Sequence, residues 1–364
     1  MQEGNHTTRY ADLSSRPALA VTGVCLLVTC ACLTASLVGE RRAAILQQGG
    51  RDLQAYRNII TRVHAGEDYY AAAGEELRTN GYPTGSLFNW RPPAYAWLLG
   101  SLPNPTWGQV LLCGLALVTL LLAYNVMQRD GKAWRAVAAV LLLLGVFEWC
   151  VDGDAFLSQE LWAGVLIGFS VCAYALGYWP LGVAGGLAAL FLRELSIPYC
   201  VIAAAFAWRE QRRKEIVLWL AGFGLYALFL VYHAMQVGKQ ITPADRLPTS
   251  WVQFGGLFFI LRTCRMNAFL FSLPGWVSAI YLPLALLGLI GWRGKTAGRI
   301  TVTVAAYLLA FAIVGLPFND YWGLLYAPLL PFGLVWAPAA IHDLGRAILR
   351  TTPDLALAQP ARHA

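Results

Sequence analysis

The chain has 364 residues; 58% are hydrophobic, only 13% are charged, and the mean hydropathy is +0.53. Soluble globular proteins carry roughly 25% charged and 45–50% apolar residues, so this composition weighs against a soluble enzyme, a disordered chain and a disulfide scaffold. The formal charge of +7 is explained by where the Lys and Arg residues fall, without nucleic acid. The content of 14 Trp, 16 Tyr and 16 Phe suits a chain with many membrane–water boundaries. The eight Cys form no CxxC pair, so neither a zinc site nor a disulfide framework is indicated.

A membrane-crossing helix needs ~20 mostly apolar residues. The first such run is 17–39, with Arg9 and Arg16 before it and Glu40, Arg41 and Arg42 after it. It exceeds the ~7–15 apolar residues of a signal peptide and reads as an uncleaved anchor. A polar stretch over 40–91 follows, the longest in the chain. Further apolar runs cover 106–127, 134–150, 155–178, 180–192, 196–208, 216–237, 268–292, 300–316 and 321–341. The runs on either side of Arg193–Glu194 are short and predict a broken helix pair or one long tilted element. The expected fold is all-α and polytopic. About ten spans form a single domain over 1–350, and a disordered cytoplasmic tail follows over 351–364.

Lys and Arg in short loops set orientation. Three lie in Arg129, Lys132 and Arg135, four in Arg209, Arg212, Arg213 and Lys214, and three in Arg293, Lys295 and Arg299. The loop from Glu148 to Gln159 has none and carries Glu148, Asp152 and Asp154. Both termini are therefore expected in the cytoplasm, in a cell inner membrane, with the 40–91 loop and any active site extracytoplasmic. The basic charge then faces the cytoplasmic lipid surface.

Within the first outer loop, Leu53, Tyr56, Ile59, Ile60 and Val63 recur at helical spacing. They predict an amphipathic helix suited to the headgroup region. Tyr69-Tyr70 opens a second helical piece that ends near Asn80-Gly81. Trp90-Arg91-Pro92-Pro93 re-enters the membrane.

Asp52, then Tyr56, then Gly66 with Tyr70, then the aromatic–Pro-Pro element from Phe88 to Pro93 stand in order behind a first span. This arrangement resembles the GT-C superfamily of membrane glycosyltransferases, and within it the family 87 mannosyltransferase-like proteins. Arg91 stands where such proteins often have Tyr. The motifs cover about 45 residues; the expected topology covers the chain. The resemblance implies transfer of a sugar, with mannose as the family's example, from a polyprenyl-phosphate donor in the membrane. The acceptor would be a hydroxyl of a glycan, lipid or protein, and the fold one with an outward cavity under the first loop.

That chemistry needs a carboxylate to take the acceptor proton, and the resemblance assigns it to Asp52. Position alone would make Asp52 a surface residue or helix cap. Tyr56, one turn along, and Tyr70 are implied as substrate contacts. Cations near the outer boundary would stabilise the leaving phosphate; the candidates are Arg91, Arg193 with Glu194, Arg262 and Arg265. A charge between apolar runs usually faces a cavity with a role, yet Arg193–Glu194 could equally be an ion pair capping a broken helix. Arg262 and Arg265 either bind phosphate or snorkel to the interface. Asp152 and Asp154 offer oxygen ligands to a divalent cation, although acidic outer loops also follow from topology. Glu160 could face the cavity. Asn319-Asp320-Tyr321 could touch substrate, with helix capping the default, and for His64 and His233 surface and packing roles are the default.

Two other classes compete. A transporter or lipid-linked-sugar flippase places ionisable groups near mid-membrane and often shows inverted repeats; no repeat is visible. A non-catalytic cell-envelope assembly protein has no need of a long amphipathic loop with an Asp ahead of a re-entrant Pro-Pro.

Overall fold

The structure, a computed structural model, describes residues 7–43, 51–130 and 132–350; the expected tail at 351–364 lies outside them. It is helical throughout. The described residues form no strand, only one isolated bridge between Val252 and Val314.

The helices in chain order are α1 (Ser15–Ala43), α2 (Arg51–His64), α3 (Tyr69–Thr79), α4 (Ala94–Gly100), α5 (Trp107–Asp130), α6 (Ala133–Phe147), α7 (Gln159–Ala175) and α8 (Trp179–Leu192). After these come α9 (Ile197–Arg209), α10 (Arg213–Gln240), α11 (Gly256–Cys264), α12 (Ala268–Phe271), α13 (Gly275–Gly291), α14 (Lys295–Ile313), α15 (Leu330–Leu334) and α16 (Ala337–Leu349). Five of them hold a stretch long and apolar enough to cross a membrane: α1, α5, α6 with its continuation to Cys150, α10 and α14. A sixth candidate is the segment Asp320–Leu334 taken with α16, bent by 49°. α7, α8 and α13 are apolar but shorter.

Proline accounts for most departures from the apolar runs. The run at 268–292 is not one helix: Pro274 stands between α12 and α13. Proline lacks an N–H and disfavours helix in the residue before it. The run at 321–341 breaks likewise around Pro328, Pro331 and Pro338. The α8–α9 pair is broken, not tilted as one rod. Arg193 has extended backbone, and Pro198 opens α9.

The connections sort into two ends. At one, the Thr8 amide and hydroxyl donate to Asp343 at 2.7 and 2.8 Å, Arg293 donates to the Thr8 carbonyl, Arg350 donates to the Ala11 carbonyl, and Lys295 pairs with Glu210. Both terminal segments and the 209–213 and 293–295 loops thus share one end. At the other, Arg57 pairs with Asp154, Tyr95 donates to the Phe156 carbonyl, and Arg78 pairs with Asp245.

Here α2 turns Ala55, Ile59 and Ile60 inward, and these three are buried. The apolar face read as suited to headgroups therefore packs on protein, against α3 and α4. α10, at ~1.5 Å per residue, is ~42 Å long and overreaches a ~30 Å hydrocarbon core. Its far end receives Arg78, which donates to the Gln240 carbonyl at 2.6 Å.

Two glycines let backbone elements close around this end. A Cβ on Gly164 of α7 would run into the Leu324 carbonyl, and one on Gly323 into the Thr263 carbonyl. The 320–325 turn therefore lies directly against α7 and α11. That puts Asp320 and Tyr321 beside Glu160 and Arg262.

Candidate active site

Asp52 occupies the first turn of α2, where a carboxylate is favoured by the helix dipole. Tyr82 donates to its Oδ1 at 2.5 Å and Tyr321 donates to its Oδ2 at 3.4 Å. The expectation of a simple surface carboxylate or cap is replaced by a bracket of two phenols from distant segments. Tyr56, one turn on, accepts from Arg91 Nε at 3.2 Å. Burial pushes the Tyr56 phenol above its ordinary value, so its proton stays on.

Arg91 is the hub. Its Nη2 donates to the Tyr321 hydroxyl at 3.5 Å and stands 3.8 Å from Glu160, while Nη1 is 3.5 Å from Glu194. Tyr69 donates to the Arg91 carbonyl at 2.6 Å and fixes the chain there. Behind it, Arg193 Nε is 2.7 Å from Glu160, and Arg193 also pairs with Glu194. Local structure sets each of these charges. Glu160 starts α7 and Glu194 lies in the short turn leading into α9, both at helix N-termini. Arg193 caps the C-terminus of α8. Each sign matches its helix dipole.

Asp52, Tyr56, Arg91, Arg193 and Glu194 thus belong to one connected network, with Glu160 and Tyr321 as its links. Two guanidiniums, Arg91 and Arg193, are balanced by two carboxylates, Glu160 and Glu194. The third carboxylate, Asp52, has no guanidinium partner among the described residues. It is the one left to accept a proton. Arg193 is 1% exposed, whereas the Arg91 side chain is 20% exposed. Of the two, Arg91 is the cation a ligand can reach.

Arg262 pairs with Asp320 at 2.6 Å, next in sequence to Tyr321, and so borders the network. Arg265 does not. It caps the Phe271 and Leu273 carbonyls at 3.1 and 2.8 Å. Tyr70 also lies apart; its hydroxyl meets His233 Nδ1 at 3.2 Å, and His233 Nε2 meets the Trp90 carbonyl at 3.3 Å. A neutral His233 protonated on Nε2 satisfies both, which ties α3 to α10. His64 contacts the Gly100 carbonyl. Asp154 is taken by Arg57, and the described residues contain no group of three His, Cys, Asp or Glu that could hold a metal ion.

Sequence reading missed Tyr82 and gave Glu160 and Tyr321 little weight. Glu160 carried one signal, a carboxylate at the mouth of an apolar run. Under the first loop, α2, α3 and α4 leave a cleft of about 20 Å³ beside Arg91. A larger groove of about 360 Å³ lies elsewhere, between α5 and α6, with Glu148 as its one carboxylate. No family model, curated protein or solved structure matches the chain.

Proposed function

We propose that this chain is an integral-membrane glycosyltransferase that moves a sugar from a polyprenyl-phosphate donor to an acceptor hydroxyl. The observation that carries the reading is the juxtaposition of Asp52, free of any described guanidinium, with Arg91 through Tyr321. A base and a cation are what this reaction needs on either side of one carbon.

In this reading Asp52 takes the acceptor proton as the acceptor oxygen bonds to the anomeric carbon. The anomeric carbon–oxygen bond to phosphate breaks, and its electron pair leaves with the lipid phosphate. The phosphate gains negative charge, which Arg91 meets, with Arg262 at the border. Arg193 acts through Glu160 and Glu194 as a positioning residue. The reading takes the chain across the membrane about ten times, with α7, α8, α9 and α13 added to the five long apolar helices and the bent unit that ends in α16. On the positive-inside rule the reading has the end with the basic loops in the cytoplasm and Asp52 outside, where a glycan, lipid or protein acceptor would arrive. A transporter or flippase reading is less favoured, because these ionisable groups gather at one end and not at mid-membrane.

The test is transfer from labelled polyprenyl-phosphate sugar in membranes holding the protein. Asp52→Asn abolishes transfer while expression stays intact; full activity in that variant removes Asp52 from the mechanism.

A further inference from the structure

The groove between α5 and α6, about 360 Å³, is walled by Ala116, Leu117, Leu120, Leu144 and Phe269, with Glu148 among its lining residues. Its volume falls within the ~300–1,000 Å³ of ligand clefts. Leu117, Leu144 and Phe269 are exposed along it. Both flanking helices are long and apolar enough to cross a membrane, and in a bilayer these side chains meet hydrocarbon. At the polar end, the Cys150 carbonyl already accepts from Gln109 Nε2 at 3.2 Å and from Cys113 Sγ at 3.5 Å. Glu148 is different. Its side chain is exposed, and no described guanidinium or ammonium pairs with it. It caps the C-terminus of α6, the negative end of the helix dipole, where a carboxylate is disfavoured and a cation is favoured. A reachable carboxylate in that position, at the mouth of an apolar groove, calls for a cation carried by a lipid.

We propose that this groove holds one phosphatidylethanolamine molecule, with an acyl chain along α5 and α6 and its primary ammonium on Glu148. The site is separate from the transferase reading and does not depend on it; it needs only α5 and α6 in a bilayer. A chain that already lies in lipid gains no hydrophobic energy by moving onto an apolar wall, so the headgroup decides which lipid stays. A primary ammonium brings both a positive charge and N–H donors, and it makes a charge-assisted hydrogen bond to the carboxylate. A choline headgroup brings the charge without an N–H. An anionic headgroup, or a polyprenyl phosphate, sets its charge against Glu148 and against Asp152, whose amide donates to the Glu148 carbonyl one turn earlier at 3.2 Å. The bound ammonium also offsets the unfavourable placement of Glu148 at the end of the α6 dipole.

The experiment uses the full chain in lipid nanodiscs doped with a trace of photoactivatable lipid. The probes share one diazirine-bearing acyl chain and differ in headgroup: ethanolamine, choline or glycerol. A photoactivatable polyprenyl phosphate is the fourth. Labelled sites on α5 and α6 are mapped by mass spectrometry. The expected result is that the ethanolamine lipid labels the groove residues roughly threefold more than the choline and glycerol lipids. Glu148→Gln, a change at an exposed side chain, brings it down to their level. Leu117→Trp, which fills the groove from another exposed position, lowers labelling by the ethanolamine lipid while Glu148 is kept. Equal labelling by the three phospholipids overturns the proposal and makes the groove an ordinary lipid-facing surface. Preference for the glycerol lipid or for polyprenyl phosphate overturns the assigned occupant, and ethanolamine selectivity that survives Glu148→Gln overturns the role of that carboxylate. If the variants fail to fold, the headgroup series on the unaltered protein decides. None of these outcomes bears on Asp52 or on sugar transfer, which the labelled-donor assay reads separately.

Discussion

Arg193 Nε stands 2.7 Å from Glu160 Oε1, and each side chain is only 1% exposed. Two opposite charges sealed in this way have been stripped of water, and their mutual attraction roughly offsets that cost. The pair is therefore worth little as glue and much as a constraint. It fixes the start of α7 against the break between α8 and α9, and it presents Glu160 to Arg91.

Removing one partner leaves the other charge buried alone. Glu160→Ala is expected to cost about 3–5 kcal/mol, read as a fall in the melting temperature of the purified protein. The double variant Glu160→Leu with Arg193→Met regains most of that stability, because two apolar side chains replace a balanced pair. A double variant as unstable as the single one would show that the charges themselves stabilise the junction.

Tyr321 reaches Asp52 across 269 positions of sequence. Tyr321→Phe keeps the ring and removes the hydroxyl that orients the carboxylate. Transfer should fall about tenfold in kcat, equivalent to roughly 1.4 kcal/mol, with KM for the lipid donor little changed. Tyr82→Phe is expected to act in the same direction. A Tyr321→Phe protein in which donor KM rises and kcat holds would move this hydroxyl from the base to donor binding.

The helices of the first loop were legible because Leu53, Tyr56, Ile59, Ile60 and Val63 repeat at a period that depends on local sequence alone. Arg193 was legible because a charge between apolar runs is costly wherever the chain folds. Tyr82 and Tyr321 were not, since a tyrosine at a membrane boundary has an ordinary reason to be there and only tertiary structure brings either one to Asp52. The exclusion of Arg265 was equally hidden. Its role follows from the break before Pro274, where the Phe271 carbonyl at the end of α12 and the Leu273 carbonyl beyond it take its guanidinium. The narrowness of the cleft depends on how α2, α3 and α4 pack together, and no single stretch of sequence encodes it.

Arg78 grips Asp245 through both Nε and Nη2, and Thr84 and Thr242 add hydrogen bonds to the same carboxylate. The guanidinium holds the Asp245 carboxyl well below the usual carboxylate range. A folded-state value below the unfolded one means the clasp contributes in full above the ordinary value of about 4. Its contribution declines as pH falls below that point and is gone once pH passes the depressed value. Between about pH 6 and pH 3 the melting temperature should drop further in the unaltered protein than in Asp245→Asn. Glu67, also held low by Arg62, contributes in the same sense to both proteins and cancels in the comparison. Parallel curves would remove Asp245 from the acid response.

Gly323 is the close-packing point that seats the 320–325 turn on α11. A Cβ there would meet the carbonyl, carbonyl carbon and Cα of Thr263, all backbone atoms that cannot rotate away. Gly323→Ala should therefore destabilise by about 1–3 kcal/mol and push Asp320 and Tyr321 off Arg262 and Asp52, with transfer activity falling alongside stability. Gly224 of α10 makes the contrast, since nothing lies within 4 Å of its added Cβ. Gly224→Ala replaces a helix-interior glycine, which is worse than alanine by roughly 0.5–1 kcal/mol, and is expected to leave activity unchanged and stability equal or slightly higher. If both variants behave alike, the turn is not held by close approach at Gly323, and the placement of Tyr321 over Asp52 must come from its hydrogen bonds to Arg91 and Asn319 instead.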